Sequence, residues 1–180
     1  MSTHAPVQAW RLRPAVPEDV ETIAELRAVV MRPDLERLGR YDEHRVRQRL
    51  RDGYEPGQTE IVELDGAFSG CVALRPHESD GWWLESFYLT PELQGRGIGT
   101  EVLAGLLART DAERAPVRLQ VLQGSAARRL YERHGFTTEH EDPVDVYMVR
   151  LPRTWPLAAA SAEGFSFPSR TPRSRPTPRR

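Results

Sequence analysis

The chain of 180 residues is one domain in length, and a core of this size buries roughly 68–70% of its unfolded surface without covalent staples. The formal charge is −1, the sequence contains arginine but no lysine, and the single cysteine, Cys71, excludes an internal disulfide. No apolar run reaches the roughly 18 residues that a transmembrane helix requires.

In chain order, Trp10–Ala15 reads as a first strand. The segment before it, Met1–Trp10, has neither the basic nor the apolar stretch of a secretory signal, so a cytoplasmic location is expected. Pro17-Glu18-Asp19 opens a helix, with proline early and acids in the first turn. Val20, Ile23, Ala24 and Arg27 continue it at helical spacing to about Val30, and Arg32-Pro33 is expected to break it. Leu35–Arg40 reads as a short connector or one helical turn. A second helix is expected over Asp42–Asp52, with Val46 and Leu50 inward and Arg45, Arg47, Arg49 and Arg51 as a solvated face.

Three strands follow, at Glu60–Leu64, Phe68–Arg75 and Trp82–Leu89, the first two joined by an Asp65-Gly66 turn. Cys71 falls in an apolar strand and reads as a small buried hydrophobe, not a nucleophile. Strict alternation on the third strand places Glu85, Phe87 and Leu89 on one face. A helix over 98–110, a strand over Val117–Leu122, a helix over 125–134 and strands at Phe136–Glu139 and Val144–Leu151 complete the order. Hairpins first and crossover helices later imply a mixed α/β sheet.

Between the third strand and the next helix lies Gln94-Gly95-Arg96-Gly97-Ile98-Gly99. Its glycines permit a tight turn and close approach to a ligand. The amides from Arg96 to Thr100 fall at a helix N-terminus, which favours an anion, and Arg96 adds a charge-assisted contact. A Walker A loop would end Gly-Lys-Ser/Thr, and the dinucleotide fingerprint would need a glycine where Thr100 or Val102 stands. Neither fits. Downstream, Ser125 is a candidate N-cap for a helix on which Ala127, Leu130, Tyr131 and His134 share a face. Gly135 suits the left-handed position that ends it, and Phe136 follows.

The spacing Gln-x-x-Gly-x-Gly and the helix ending Leu-Tyr-x-x-x-Gly-Phe resemble the two hallmarks of the GNAT superfamily of acetyl-CoA-dependent N-acetyltransferases. The resemblance covers about residues 10–151, with its specific matches in about 80–136. It implies a GNAT-like fold: a central, mostly antiparallel mixed sheet of about six to seven strands with about four helices. It also implies acetyl-CoA as co-substrate, a primary amine on a small molecule or peptide as acceptor, and direct transfer between them. Gln94 to Thr100, Ser125 and Arg128 would hold the cofactor, and Phe87, Tyr88 and Leu89 would offer backbone groups to the pantetheine arm. The next strand would splay away to leave the entry slot. Tyr131 would be the general acid and Glu85 the general base, with Asp142 and Asp145 as runners-up and His77 and His134 as weaker candidates.

The first two helices would flank the acceptor, making Arg32, Asp34, Glu36, Arg37 and Tyr41 candidate contacts, with Trp82 or Trp83 beside them. Family members often carry Asn just before the tyrosine helix. Gln123-Gly124-Ser125 stands there instead, so Ser125 or Gln123 would make that contact. Proteins of this family commonly form homodimers. The five histidines show no paired ligand spacing, and no metal is expected.

From Pro152 onward, prolines alternate with Ser, Thr and Arg, which reads as a disordered tail over 152–180 behind a catalytic domain over 1–151. The tail holds six arginines and one acid, so the remainder carries about −6, which suits a cationic acceptor. Binding of nucleic acid through the tail and binding to a membrane are not expected. The alternative to an enzyme is a catalytically silent acyl-CoA-binding regulatory module.

Overall fold

The computed structural model describes residues 10–153. The segment read as a tail therefore lies outside the described residues from 154 onward. A seven-stranded sheet of order β1-β2-β3-β4-β5-β7-β6 forms the centre. Its strands are β1 (Trp10–Pro14), β2 (Thr59–Leu64), β3 (Ala67–Pro76), β4 (Trp82–Leu89), β5 (Val117–Leu122), β6 (Thr137–Glu141) and β7 (Asp145–Arg150). All neighbours are antiparallel except β4 and β5. The helices are α1 (Val20–Arg37), α2 (Glu43–Gly53), α3 (Ile98–Ala112) and α4 (Ala127–Arg133). No described helix is long and apolar enough to cross a membrane.

Strand alternation sorts the core onto two faces. Val62, Val72 and Leu84 join Val102, Leu103, Leu106 and Tyr131 beneath α3 and α4. Ile61 and Cys71, one residue out of phase, meet Ile23, Ala24 and Leu50 of α1 and α2. Cys71 is fully buried, as expected. Desolvation pushes its thiol up to about 12, so it is neutral at physiological pH.

Helix α1 does not stop at Pro33. It runs to Arg37, two turns beyond the expected end at Val30. Proline removes one N–H from the ladder, and Val29, four residues earlier, lies on the open side of the helix at 55% exposure. Arg32 and Glu36 pair across the proline at 2.7 Å, and Arg37 and Asp34 pair just beyond it at 2.9 Å. In addition, Arg32 lies over the Tyr41 ring. Asp42 then caps α2 by accepting the Arg45 N–H at 2.7 Å.

The second departure is in β4. Cys71 pairs with Tyr88 and Ala73 with Glu85, so β4 spends one residue more than β3 over the same span. Ser86, at φ +50°, is the extra residue of this bulge. It reverses the alternation expected for the strand. Phe87 and Leu89 face α3, where any side chain at Gly99 would meet Leu89 Cδ1 at 3.3 Å and Phe87 Cζ at 3.9 Å. Glu85 and Tyr88 take the other face, toward α1 and α2. Beyond the bulge β4 leaves its parallel neighbour. Only Trp82, Trp83 and Leu84 pair with β5, at Val117, Arg118 and Leu119. The splay expected between these strands is present.

Candidate active site

The gap between β4 and β5 opens a cavity of about 1700 Å³ that passes from one side of the sheet to the other. One arm is lined by Gln94, Gly95, Gly97, Gly99 and Thr100 of the glycine loop, by Ser125–Ala127 and by Leu130 and Tyr131 of α4. The other arm is lined by α1, the α1–α2 connector, α2 and the start of β7. Glu85 to Leu89 form the wall between them, and their edge toward β5 carries no strand partner.

The glycine loop is shaped by its own sequence. Gly95 and Gly97 sit at φ +73° and +86°, a region that costs other residues energy. Gln94 turns back, donating its side-chain amide to the Leu89 carbonyl at 3.1 Å and pinning the loop to the end of β4. The first intrahelical bond of α3 runs from the Glu101 N–H to the Gly97 carbonyl at 3.1 Å. The amides of Ile98, Gly99 and Thr100 therefore precede the helical ladder and point out of its N-terminus. Such a helix start beside two left-handed glycines could hold an anionic group such as a diphosphate. Ile98 itself turns its side chain into the core, leaving its backbone to the loop.

Tyr131 is 8% exposed, packs edge-on against Phe136 at 5.6 Å between ring centres, and borders the cavity. Burial pushes its phenol well above the ordinary tyrosine range, so the hydroxyl keeps its proton at physiological pH. The cap position of α4 is Ala126 and not Ser125 as expected; Ser125 stands one residue earlier, its Oγ accepting the Ala127 N–H at 3.3 Å. Arg128 pairs with Glu132 at 2.9 Å and reaches the Thr138 hydroxyl. Gln123 turns to the β6–β7 connection, donating to the Asp142 carbonyl at 2.9 Å.

Glu85 lies in the wall of the cavity, held by Arg75 at 3.0 Å and by the Trp83 indole N–H at 2.9 Å. Trp83 lines the cavity. Trp82 packs into the core instead and donates to Glu113. Asp142 and Asp145 line the acceptor arm. Amides of Val144 and Asp145 hold the Asp142 carboxyl below its ordinary range. His77 stacks on Trp83 and His134 faces the Leu130 carbonyl; neither lines the cavity. Of the expected acceptor contacts, Asp34 lines the cavity. Arg37 donates across the gap to the Gln123 carbonyl.

Among the cavity residues that the sequence reading did not single out in this role are Arg27, Arg45 and Arg49. Arg27 lies on the inward stripe of α1 beside Ile23 and Ala24, and a charge on a buried stripe was its available signal. Arg45 and Arg49 are exposed, as expected of a solvated face, and also border the cavity. Among the described residues, no group of three or more His, Cys, Asp or Glu side chains could hold a metal ion.

Comparison with known proteins agrees with this geometry. The model of the acetyltransferase (GNAT) family matches residues 19–136. The PaiA N-acetyltransferase of Thermoplasma acidophilum, crystallised with coenzyme A, superposes with a TM-score of 0.65 at 21% identity, over 79% of this chain and 99% of that one. Ard1 of Thermoplasma volcanium gives 0.59 at 17% identity, over 79% and 97%. N-acetylglutamate synthase of Neisseria gonorrhoeae, with coenzyme A and L-arginine bound, gives 0.57 at 22% identity, over 83% of this chain and 34% of that one. Likeness at this identity establishes the fold, and the family match extends it to lineage. The chain belongs to the GNAT family of acetyltransferases.

Proposed function

We propose that the protein transfers an acetyl group from acetyl-CoA directly to a primary amine on a small molecule or peptide. The observation that carries this reading is the continuous cavity, which joins the amide cradle and Tyr131 on one arm to Glu85 and the α1–α2 wall on the other. A ternary complex fits such a passage, and direct transfer requires one.

The residues divide the work. The amides of Gly97 to Thr100 bind the diphosphate of the donor, with Gln94 holding the loop in place. The open edge of Phe87 to Leu89 accepts the pantetheine arm as an added strand. Glu85 accepts a proton from the acceptor ammonium. A lysine-like amine is mostly charged at pH 7, and its deprotonation costs roughly 4–5 kcal/mol. Tyr131 donates a proton to the departing sulfur. The catalytic unit is assigned to residues 1–151.

The test is thiol release from acetyl-CoA across an amine library, with wild type beside Glu85→Gln. The expected result is amine-dependent release that falls about 10²–10⁴-fold in the variant, most steeply near neutral pH. Acetyl-CoA binding with no release for any amine would instead identify a silent acyl-CoA-binding module. An unchanged pH–rate profile would move the base role away from Glu85.

A further inference from the structure

Helix α2 carries four arginines at alternate positions, and the structure divides them. Arg47 and Arg51 turn to α1 and pair with Glu25 at 2.7 Å and Glu21 at 2.8 Å. Arg45 and Arg49 border the acceptor arm of the cavity, and neither forms an ion pair among the described residues. Arg27 joins them from α1. Its Nε donates to the Val46 carbonyl at 3.0 Å and its Nη1 to the Tyr88 hydroxyl. Val46 adjoins Arg45 and precedes Arg49 by almost one turn, so Arg27, Arg45 and Arg49 all belong to the α1–α2 side of the cavity wall.

Both acceptors on Arg27 are neutral, and the guanidinium is partly withdrawn from water. A cation so placed is costly without a counter-ion. The acids of the same cavity do not supply one. Asp34 pairs with Arg37 and Glu85 with Arg75, while Asp42 and Asp142 accept backbone amides. Asp145 makes no ion pair among the described residues, and it stands on β7, apart from the two helices that carry the arginines. The arm therefore presents cationic forks on the α1–α2 side and a carboxylate on the β7 side. A fork of guanidinium donors matches an oxyanion.

We infer that the acceptor amine carries its own oxyanion, a carboxylate or a phosphate, and that this group docks on Arg27, Arg45 and Arg49. The inference rests on the proposed amine acetylation and narrows its substrate class. Met31 and Leu35 receive the hydrocarbon between the two polar ends.

The experiment uses the full chain and matched amines. Each set comprises an amino acid, its decarboxylated amine and the corresponding aminophosphonate. Thiol release is followed for wild type, for Arg27→Gln, and for the double variant Arg45→Gln/Arg49→Gln, whose side chains are exposed and leave the core untouched. The expected result is a KM about tenfold or more lower for the anionic amines, as lost charge-assisted bonds would predict. That advantage collapses in the double variant, while stabilisation by acetyl-CoA alone is unchanged. Preference between carboxylate and phosphonate identifies the oxyanion. Equal turnover of the decarboxylated amines, or an anion preference that survives the double substitution, overturns the inference and leaves amine acetylation standing. If no amine releases thiol, thermal stabilisation by the amino acids decides. Stabilisation of wild type lost in the double variant keeps the oxyanion site and sinks the reaction; no stabilisation in either sinks both.

Discussion

Glu85 and Phe87 stand two residues apart on one strand, yet their side chains leave the sheet on opposite faces. The extra residue at Ser86 causes this. One backbone irregularity therefore places the candidate base toward the acceptor arm and turns Phe87 and Leu89 toward α3. It also falls where β4 parts from β5.

Ser86 holds φ +50°, where a β-branched side chain is strained and glycine is not. Ser86→Val is expected to destabilise the fold by about 1–3 kcal/mol and to weaken acetyl-CoA binding, because the bulge relaxes and the slot narrows. Ser86→Gly is expected to leave both nearly unchanged. Denaturant unfolding with and without acetyl-CoA measures the pair. Equal behaviour of the two variants would detach the slot from the bulge.

Much of the fold was legible in the sequence, since helical spacing in α3 and α4 and the Asp65-Gly66 turn are local signals. The glycine loop and the Tyr131 helix were legible for the same reason, each being a short segment with its own backbone logic. What escaped was set by partners distant in sequence. Pro33 reads as a break, yet the helix continues through it, with Arg32 and Glu36 paired across it and Val29 on its open side. Ser86 carries no turn signature, and its bulge exists only against the register of β3. Arg45 and Arg47 look alike on α2, yet the acids of α1 claim only one of them.

Tyr131 borders the cavity with its proton held by burial. Tyr131→Phe keeps the ring packed on Phe136 and removes only the hydroxyl. Turnover is expected to fall about 10²–10⁴-fold while the thermal shift given by acetyl-CoA stays near the wild-type value. Unchanged thiol release would remove Tyr131 from proton transfer.

Gly97 tests the amide cradle. At φ +86°, and with no atom within 4 Å of an added Cβ, a new side chain there is strained and projects into open space at the loop. Gly97→Glu adds a negative charge where the diphosphate is proposed to bind. Wild type at a donor concentration of about 100 Kd should gain about 2.7 kcal/mol of stability, and the variant should gain none. A full shift in the variant would place the donor elsewhere.

Asp111 and Arg150 join the end of α3 to β7 through two bonds of 2.7 and 2.8 Å, and Arg150 Nε also holds the His134 carbonyl at the end of α4. The Arg150 side chain is 8% exposed. Removing one partner leaves the other poorly solvated, so Asp111→Ala is expected to cost about 3–5 kcal/mol. The Arg150 guanidinium holds the Asp111 carboxyl below its ordinary range. A depressed folded pKa gives stability that is fully present above the unfolded value, about 3.9, and is lost as pH falls through the folded value. Wild type should therefore lose stability below about pH 4, and Asp111→Asn, already weaker at pH 7, should show a shallower acid limb. Unfolding free energies from pH 7 down to pH 2 measure the difference. Parallel acid limbs would assign the acid sensitivity to other carboxylates, of which Asp19, held low chiefly by Arg13, is the next to test.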